Sequence, residues 1–297
     1  MKLGLFAVGA GRAARPEVLV RLAQKAEEVG FESVFAPEHT VLFRPNDYRS
    51  PYPYASDGKI PGLRDQTDLL DPFLALAWAA AHTTRIRVGT GICLVPQRNP
   101  LITAKEVASL DVLSGGRVIF GVGIGWLKEE FRALGVPPER RAARTQEYIE
   151  AMKRLWTEEY PEFHGEFCDF PPVGLYPKPV QKPHPPILFG GESEPALRRA
   201  VTVGNGWFGF NVSPVEAGQA IHRMQQLAAE VGRDFPVLDI TVSPYTKLPQ
   251  LDLDTLKRYR DVGVHRVVLI NTTTRLEQID AALETLGNTL VQPAQSL

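Results

Sequence analysis

The chain has 297 residues, of which 44% are hydrophobic and 23% charged, and its formal net charge is −1. This composition is typical of a soluble globular protein, and the near-zero charge gives no reason to expect nucleic acid or a membrane as a partner. No apolar run is long enough to span a bilayer, and no targeting segment is evident, so we expect a cytoplasmic protein. The two cysteines, Cys93 and Cys168, form neither a disulfide framework nor a zinc pattern.

Short β-rich runs alternate with segments of helical spacing along the chain. The predicted strands are residues 3–8, 33–37, 86–93, 118–122, 186–189, 207–212, 238–242 and 266–270. The predicted helices are residues 16–29, 103–113, 144–156, 194–203, 214–231, 253–262 and 276–290. This alternation predicts one α/β domain over residues 1–297, a (β/α)8 TIM barrel. An open six-stranded sheet is the main rival, but it leaves two strand–helix units unassigned.

Two long segments interrupt the alternation: residues 42–70, after the second strand, and residues 160–184, before the fifth. Loops of this length in a compact domain are usually functional lids or disordered. In a barrel, the loop that follows a strand lies on the face that carries the active site. We therefore expect both insertions to shape a pocket, and residues 42–70 have the stronger case.

The stretch SVFAPEHT ends the second predicted strand on two titratable residues, Glu38 and His39. This position is the C-terminal rim of a barrel, where a histidine can titrate near neutral pH and transfer protons. Adjacent residues of an extended strand point to opposite sides, so the two would hardly share one role. The alternative is structural: Glu38 pairs with a barrel arginine and His39 caps a backbone group.

Three glycine-rich segments also follow strand positions, at residues 89–93, 121–126 and 189–193. Glycines in the first allow either a bulge or the close approach of a flat ligand. Those in the second do not match the dinucleotide-binding fingerprint. The third ends on two glycines, a glutamate and a serine before a helix, which is typical of an anion site, although a capped tight turn explains the same residues.

Several enzyme classes are disfavoured by what the sequence lacks. The six histidines show no metal-ligand spacing, and there is no Gly-x-Ser-x-Gly nucleophile elbow. No predicted barrel strand ends on a lysine, which a barrel aldolase or lyase would need. Hydrolysis by a metal or a serine is therefore not expected.

Together these segments resemble the luciferase-like superfamily of flavin- and deazaflavin-dependent oxidoreductases, with most similarity to its coenzyme F420-dependent branch. The resemblance runs from the first strand to residues 204–207. Its most specific motifs are GTGI, RNP, AKE, LD, LSGGR and GVGIGW, between residues 89 and 126. The resemblance implies a barrel that holds a tricyclic redox ring at its C-terminal mouth.

The resemblance also implies roles for individual residues. Glu38 and His39 would be the catalytic pair, with His39 transferring a proton and Glu38 orienting it. A non-prolyl cis peptide would join Gly91 and Ile92 against the ring, and no metal is implied. The implied cofactor-binding residues are Gly91, Ile92, Leu94, Gly125, Trp126, Gly190, Gly191 and Ser193.

The implied activity is hydride transfer between F420 and a small organic substrate, a carbonyl or an activated alkene. Trp126 stands where the deazaflavin-dependent sugar-phosphate dehydrogenases of the superfamily have a glutamate, so a sugar phosphate is not the expected substrate. Two alternatives stay open, an FMN-dependent two-component monooxygenase and a non-enzymatic flavin-binding protein. Dimers are frequent in the superfamily, so a homodimer is expected, and the helix at residues 144–156 offers one surface for it.

Overall fold

Eight parallel strands form the centre of the molecule in a computed structural model that describes residues 1–6, 8–245, 251–270, 273 and 275–297. They are β1 (Lys2–Phe6), β2 (Ser33–Ala36), β3 (Arg87–Thr90), β4 (Val118–Gly123), β5 (Ile187–Gly190), β6 (Gly206–Phe210), β7 (Asp239–Ser243) and β8 (Arg266–Ile270). Each strand pairs with the next, and β8 pairs with β1, so the sheet closes into a barrel. The predicted (β/α)8 fold is confirmed. The predicted strand 3–8 includes Ala7, which lies outside the described residues.

Helices surround the barrel. They are α1 (Pro16–Val29), α2 (Pro72–Ala81), α3 (Pro100–Leu113), α4 (Lys128–Ala133), α5 (Arg141–Thr157), α6 (Glu194–Thr202), α7 (Pro214–Glu230), α8 (Leu253–Asp261), α9 (Leu276–Leu286) and α10 (Gln292–Gln295). The predicted helix 276–290 is shorter than expected, because α9 gives way to a π-helical turn at Gly287–Val291. Within the described residues, no helix is both long and apolar enough to cross a membrane.

Three helices were not predicted: α2, α4 and the short α10 at Gln292–Gln295. The sequence of α2, PFLALAWAAA, is apolar on all sides and so lacks the polar face that marks an amphipathic helix. Two of its side chains, Leu74 and Trp78, are largely exposed. The six residues of α4 are too few to show a helical period.

The barrel interior is filled by apolar side chains from several strands. They are Phe6, Phe35, Ile119, Leu188, Phe208 and Val268. The rings of Phe35 and Phe208 meet edge to face, with 5.3 Å between their centroids. A β-carbon at Gly89 would lie 2.5 Å from the Phe35 ring, so this glycine is required by packing. The interior is therefore a solid core, and any ligand at the mouth rests on an apolar floor.

A buried ionic cluster ties strand starts together at the N-terminal end of the barrel. Arg266 is fully buried, and its guanidinium donates to Glu32 at 2.7 and 3.0 Å and to Asp239 at 3.0 Å. It also donates to the hydroxyl of Thr241 at 2.6 Å. Burial alone would raise the pKa of Glu32 and of Asp239, but the charge and hydrogen bonds of Arg266 hold both pKa values below their ordinary range. The cluster thus carries ionised, paired side chains.

The first insertion, residues 42–70, lies across the C-terminal mouth. The backbone N–H groups of Arg49 and Ser50 donate to Glu129 at 3.0 and 3.4 Å. On the far side of the mouth, the Asn211 amide donates to the Tyr54 carbonyl at 3.3 Å. These contacts, to residues that follow β4 and β6, confirm that this insertion covers the face expected to carry the site.

The second insertion, residues 160–184, reaches the opposite end of the barrel. The Gln181 amide donates to the carbonyl of Val118, the first residue of β4, at 2.9 Å and to Asp111 at 2.7 Å. The end of the segment enters β5 and so lies at the N-terminal face. Earlier in the segment, the Phe167 ring lies 5.0 Å from the guanidinium groups of Arg140 and Arg144, at the start of α5. That this segment shapes the pocket stays a prediction.

Candidate active site

At the mouth, a short segment after β2 brings His39 against α4. The Nδ1 atom of His39 lies 2.9 Å from an oxygen of Glu130, whose side chain is completely buried, while 10% of the His39 side chain is exposed. A carboxylate only accepts hydrogen bonds, so Nδ1 carries the proton of this contact. In the neutral imidazole, Nε2 is then the basic nitrogen.

Glu130 is held by several donors. Its carboxylate accepts from the backbone N–H groups of Thr40 and Val41 at 2.7 and 3.2 Å and from the Gln97 amide at 3.2 Å. Burial alone would raise the pKa of Glu130, but hydrogen bonds from His39, Gln97 and Val41 outweigh it, and the pKa lies below its ordinary value. An ionised carboxylate therefore fixes both the chain after β2 and the His39 ring.

Glu38 faces away from this pair. It accepts a hydrogen bond from the Nε of Arg98 at 2.6 Å and another from the backbone N–H of Leu94. Arg98 also reaches Asp71, the N-cap of α2, at 2.6 Å. Among the described residues no hydrogen bond joins Glu38 to His39, so the contact that orients His39 comes from Glu130. The structural alternative, an arginine partner for Glu38, is the arrangement found.

Glu130 was not predicted to contact His39. It lies 91 residues further along the chain, in a helix too short for a clear pattern. An acidic residue near the start of a helix is common for reasons unrelated to catalysis. Only the three-dimensional structure reveals it.

The chain after β3 bulges into the mouth. The Gly91–Ile92 peptide bond is cis, as the resemblance implied. The Ile92 side chain then packs against β4 and β5, so closely that a β-carbon at Gly123 or Gly190 would lie 2.1 or 2.7 Å from its Cδ1. These two glycines are thus required by the close approach of Ile92.

A row of aromatic rings crosses the mouth beside His39. Trp126 meets His39 edge to face at a centroid distance of 6.0 Å and Tyr52 at 5.2 Å. The row continues from Tyr52 to Tyr54 at 5.5 Å and on to Phe210, the last residue of β6, at 5.0 Å. Tyr52 and Tyr54 belong to the first insertion, residues 42–70, which we call the lid. The lid therefore supplies an aromatic surface that faces Trp126.

One acidic residue ties this lid to the turn after β5. Glu192 accepts a hydrogen bond from the backbone N–H of Phe210 at 2.8 Å and also bonds to the Tyr54 hydroxyl. Burial, and then the charge of Glu192, raise the pKa of Tyr54. Tyr54 is therefore a protonated donor over the physiological pH range.

The turn after β5 leads directly into α6. Gly191 has φ +102°, in the left-handed region where a side chain is strained. Ser193 occupies the N-cap of α6, and its side chain makes no capping hydrogen bond. Nearby, the Gly125 carbonyl accepts from the Nε of Arg141, at the start of α5, at 3.0 Å. The rim between β4 and β5 thus contains two helix N-termini and a guanidinium.

A family profile for luciferase-like monooxygenases matches residues 1–248. The chain belongs to this family. Among curated relatives, Rv0953c of Mycobacterium tuberculosis is 36% identical over 273 residues, covering 90% of this chain and 91% of that protein. An FMNH2-dependent dimethylsulfone monooxygenase of Pseudomonas putida is 39% identical over 143 residues, 47% of this chain and 39% of that one. Members of the luciferase-like family are oxidoreductases and monooxygenases.

Solved structures share the luciferase-like barrel. Monooxygenase RslO1 from Streptomyces bottropensis superposes with a TM-score of 0.77 at 23% identity, covering 98% of this chain and 99% of that one. An F420-dependent secondary alcohol dehydrogenase, solved with an F420–acetone adduct, superposes with a TM-score of 0.77 at 19% identity, covering 99% of this chain and 98% of that one. At these identities the likeness establishes the fold alone.

Most of the predicted site residues lie around this luciferase-like mouth, in four pairs. His39 and Trp126 are in ring contact, and Ile92 packs on Gly190. The backbone N–H of Leu94 donates a hydrogen bond to the carboxylate of Glu38. Gly191 and Ser193 form the turn into α6. The roles of these residues toward a ligand stay predictions.

Proposed function

We propose that this luciferase-like protein transfers a hydride between coenzyme F420 and a small organic substrate, a carbonyl compound or an activated alkene, and that His39 exchanges the accompanying proton. The observation that carries the proposal is the His39–Glu130 contact of 2.9 Å at the mouth. It fixes one nitrogen of the ring and leaves the other as the proton-exchanging atom. F420, when bound, supplies or accepts the hydride.

The residues at the mouth fit a coenzyme with a planar ring and a phosphate. Trp126 and the lid tyrosines offer aromatic surfaces next to His39. On the neighbouring rim, the Gly190–Gly191 turn leads into a helix whose N-terminus has no side-chain cap. Backbone N–H groups at such a turn are suited to an anion.

His39 has a defined task in either direction of the reaction. When an alcohol is oxidised, the basic Nε2 accepts the hydroxyl proton; when a carbonyl is reduced, the imidazolium returns it. Glu130 accepts from Nδ1–H throughout and stabilises the charged ring. Tyr52 and Tyr54 on the lid exclude water from the mouth.

An FMN-dependent two-component monooxygenase is the second candidate. Its support is the 39% identity over 143 residues to the FMNH2-dependent dimethylsulfone monooxygenase. FMN and F420 both combine a tricyclic ring with a phosphorylated side chain, so the aromatic rim and the turn suit both. In that case His39 would exchange a proton with the substrate during its oxygenation.

Binding titrations of the purified protein with F420 and with FMN test the choice. Tight and selective binding of F420 supports hydride transfer and justifies a screen of ketones, secondary alcohols and activated alkenes. Selective binding of FMN overturns the F420 assignment in favour of the monooxygenase. If neither coenzyme binds, both functions fail.

A further inference from the structure

We infer that Gln97 is a positioning residue of this site, which directs the proton taken up by the His39–Glu130 pair to His39 rather than to Glu130. The inference deepens the proposed function and rests on it for the catalytic consequence. Gln97 ends a short 3-10 helix at Val95–Gln97, which follows the bulge after β3. Its side chain reaches the same carboxylate oxygen of Glu130 as the His39 ring does.

The carboxylate of Glu130 has a full set of hydrogen-bond donors. One oxygen accepts from the backbone N–H groups of Thr40 and Val41 at 2.7 and 3.2 Å. The other accepts from the Nδ1 of His39 at 2.9 Å and from the Nε2 of Gln97 at 3.2 Å. A carboxylate offers about four acceptor positions, and these donors fill them. A proton can therefore reach Glu130 only by displacing one of the donors.

The amide of Gln97 has one possible orientation, with its NH2 group toward Glu130. The reverse orientation would set the amide oxygen against a carboxylate oxygen, and neither atom can donate. As a consequence, the Oε1 of Gln97 is buried without a hydrogen-bond partner among the described residues. Burying an unpaired acceptor is unfavourable, so an apolar side chain would suit this position better if packing were its only task. The contact with Glu130 gives the amide its purpose.

The charge on Glu130 is controlled by few groups. Burial raises its pKa, whereas hydrogen bonds from His39 and then from Gln97 lower it, and the pKa lies below its ordinary value. Glu129, its neighbour on α4, instead accepts from the lid backbone. Arg98, next to Gln97 in the sequence, is engaged by three other carboxylates, those of Glu38, Asp71 and Glu106. Within the described chain, His39 is thus the charged partner of Glu130, and Gln97 is the neutral side-chain donor.

Two positions compete for a proton that this coupled pair takes up. With Gln97 in place, Glu130 stays ionised and the proton goes to the Nε2 of His39, which forms the imidazolium that carbonyl reduction needs. Without this donor, one acceptor position on Glu130 is open, and burial favours the neutral carboxyl. The proton would then sit on a completely buried group, where a substrate cannot take it.

Gln181 offers a matched control at the opposite end of the barrel. Its Nε2 donates to the carboxylate of Asp111 at 2.7 Å. Gln181→Met therefore removes the same kind of amide–carboxylate contact as Gln97→Met, without touching the mouth.

The first experiment follows both side chains by NMR in the coenzyme-free protein, with isotope-labelled glutamate and histidine. On acidification of the wild type and of Gln181→Met, we expect the Nε2 of His39 to protonate while Glu130 stays ionised. In Gln97→Met, the Glu130 carboxyl should titrate at a higher pH than in the wild type, by about one pH unit, the size expected for one hydrogen bond to an ionised group. Identical Glu130 titrations in the wild type and Gln97→Met, or protonation of Glu130 before His39 in the wild type, overturn the inference.

The second experiment compares the two directions of hydride transfer in single turnovers. At a pH where the His39 ring of the wild type is charged, Gln97→Met should reduce a ketone roughly 10-fold more slowly, because the proton is displaced to Glu130. At alkaline pH it should oxidise a secondary alcohol at the wild-type rate, since Glu130 is then ionised in both proteins. Gln181→Met should match the wild type in both directions. Equal slowing by Gln97→Met in both directions at every pH would indicate a packing role and refute the inference.

If Gln97→Met does not fold, Gln97→Glu replaces it, because glutamate has the shape of glutamine. This variant sets a second carboxylate beside Glu130, so the two share a proton and the Glu130 carboxyl should titrate at a higher pH than in the wild type. An unchanged titration refutes the inference.

The NMR result is separable from the proposed function, because no coenzyme is present. A protein that ignores F420 but shows a Gln97-dependent titration of Glu130 keeps the positioning residue and loses only the hydride-transfer assignment. A protein that transfers hydride, but whose Glu130 titration is the same in Gln97→Met, keeps the function and loses only the role of Gln97.

Discussion

The two ends of the barrel treat buried charge in opposite ways. At the N-terminal end, Arg266 is fully buried and donates to Glu32, Asp239 and Thr241. At the mouth, Arg199 is almost as deeply buried, yet its Nε has no partner among the described residues. One arginine is fully paired within the fold, whereas the other is buried with its Nε unpaired among the described residues.

The difference shows how a barrel divides stability from function. Paired charges at the strand starts fix the register of β7 and β8 and need no ligand. At the mouth, the Nε2 of His39 is left for a proton exchange with a coenzyme or substrate. Variants at the two ends should therefore change different quantities, and four predictions test that separation.

The largest effect is expected at His39, where substitution should reduce activity and leave folding intact. His39→Ala removes the proton-exchanging group, and general acid–base catalysis contributes about 10²- to 10⁴-fold. Single-turnover hydride transfer should slow by that factor. His222→Ala, on the exposed side of α7 next to Gln226, is the control that should leave the rate unchanged. An unchanged rate in His39→Ala at every pH would remove His39 from the mechanism.

The next largest effect concerns Arg266 and should appear in stability alone. Arg266→Met leaves Glu32 and Asp239 buried without their cation, and breaking a buried pair in this way costs about 3–5 kcal/mol. Urea unfolding measures this loss. Coenzyme binding by the remaining folded protein should match the wild type, since Arg266 lies at the other end of the barrel.

Acid titration sharpens the same test. Because Arg266 lowers the pKa of Glu32 and Asp239 in the folded state, their ionic contribution is present above their ordinary values of 4.5 and 3.8 and is lost as the pH falls through the lower folded values. In Arg266→Met the burial effect remains without the cation. With their folded-state pKa values raised by burial, Glu32 and Asp239 would take up protons in the folded state first. Acidification through those values should therefore stabilise Arg266→Met, whereas it destabilises the wild type.

The fold could be predicted because strand and helix periods are local. Eight β-rich runs in alternation with amphipathic helices specify a barrel, and strand ends then locate His39 and the glycine-rich turns. Helix α2 was not predicted because it has no polar face and therefore no amphipathic pattern. The insertion at residues 160–184 enters β5 from the N-terminal end of the barrel, and the sequence does not show how much of its length lies there.

The electrostatic part of the site could not be predicted, because pairing is a long-range property. Glu38 and His39 are adjacent in sequence, yet Glu38 pairs with Arg98 and His39 with Glu130. In the sequence, Arg198 and Arg199 are indistinguishable neighbours. Their opposite environments follow from which side of α6 faces α5, and that is decided by the packing of the whole barrel.

A third prediction tests whether Glu130 acts on His39 or only on the backbone. Glu130→Gln keeps a carbonyl oxygen for Thr40 and Val41 but loses the charge that stabilises the imidazolium. We expect a loss of roughly 10- to 100-fold in turnover, as for other partners of functional histidines, and an altered pH profile. Glu129→Gln, which retains its contacts to the lid backbone, is the matched control. A purely structural role would lower stability and leave the pH profile unchanged.

The smallest effect is expected at the tie between lid and turn. Tyr54→Phe removes the hydroxyl that bonds to Glu192 but keeps the ring contacts with Tyr52 and Phe210. A single hydrogen bond contributes about 1 kcal/mol, so stability should fall by no more than this. Coenzyme association, followed by stopped-flow fluorescence, should become faster because the lid opens more readily. Tyr48→Phe is the control, since Tyr48 contacts Trp126 through its ring and its hydroxyl has no hydrogen bond in the described chain. If both variants bind coenzyme at the wild-type rate, the Tyr54 hydroxyl stabilises the lid without controlling coenzyme entry. It would then contribute to stability alone, as the Arg266 cluster does at the N-terminal end.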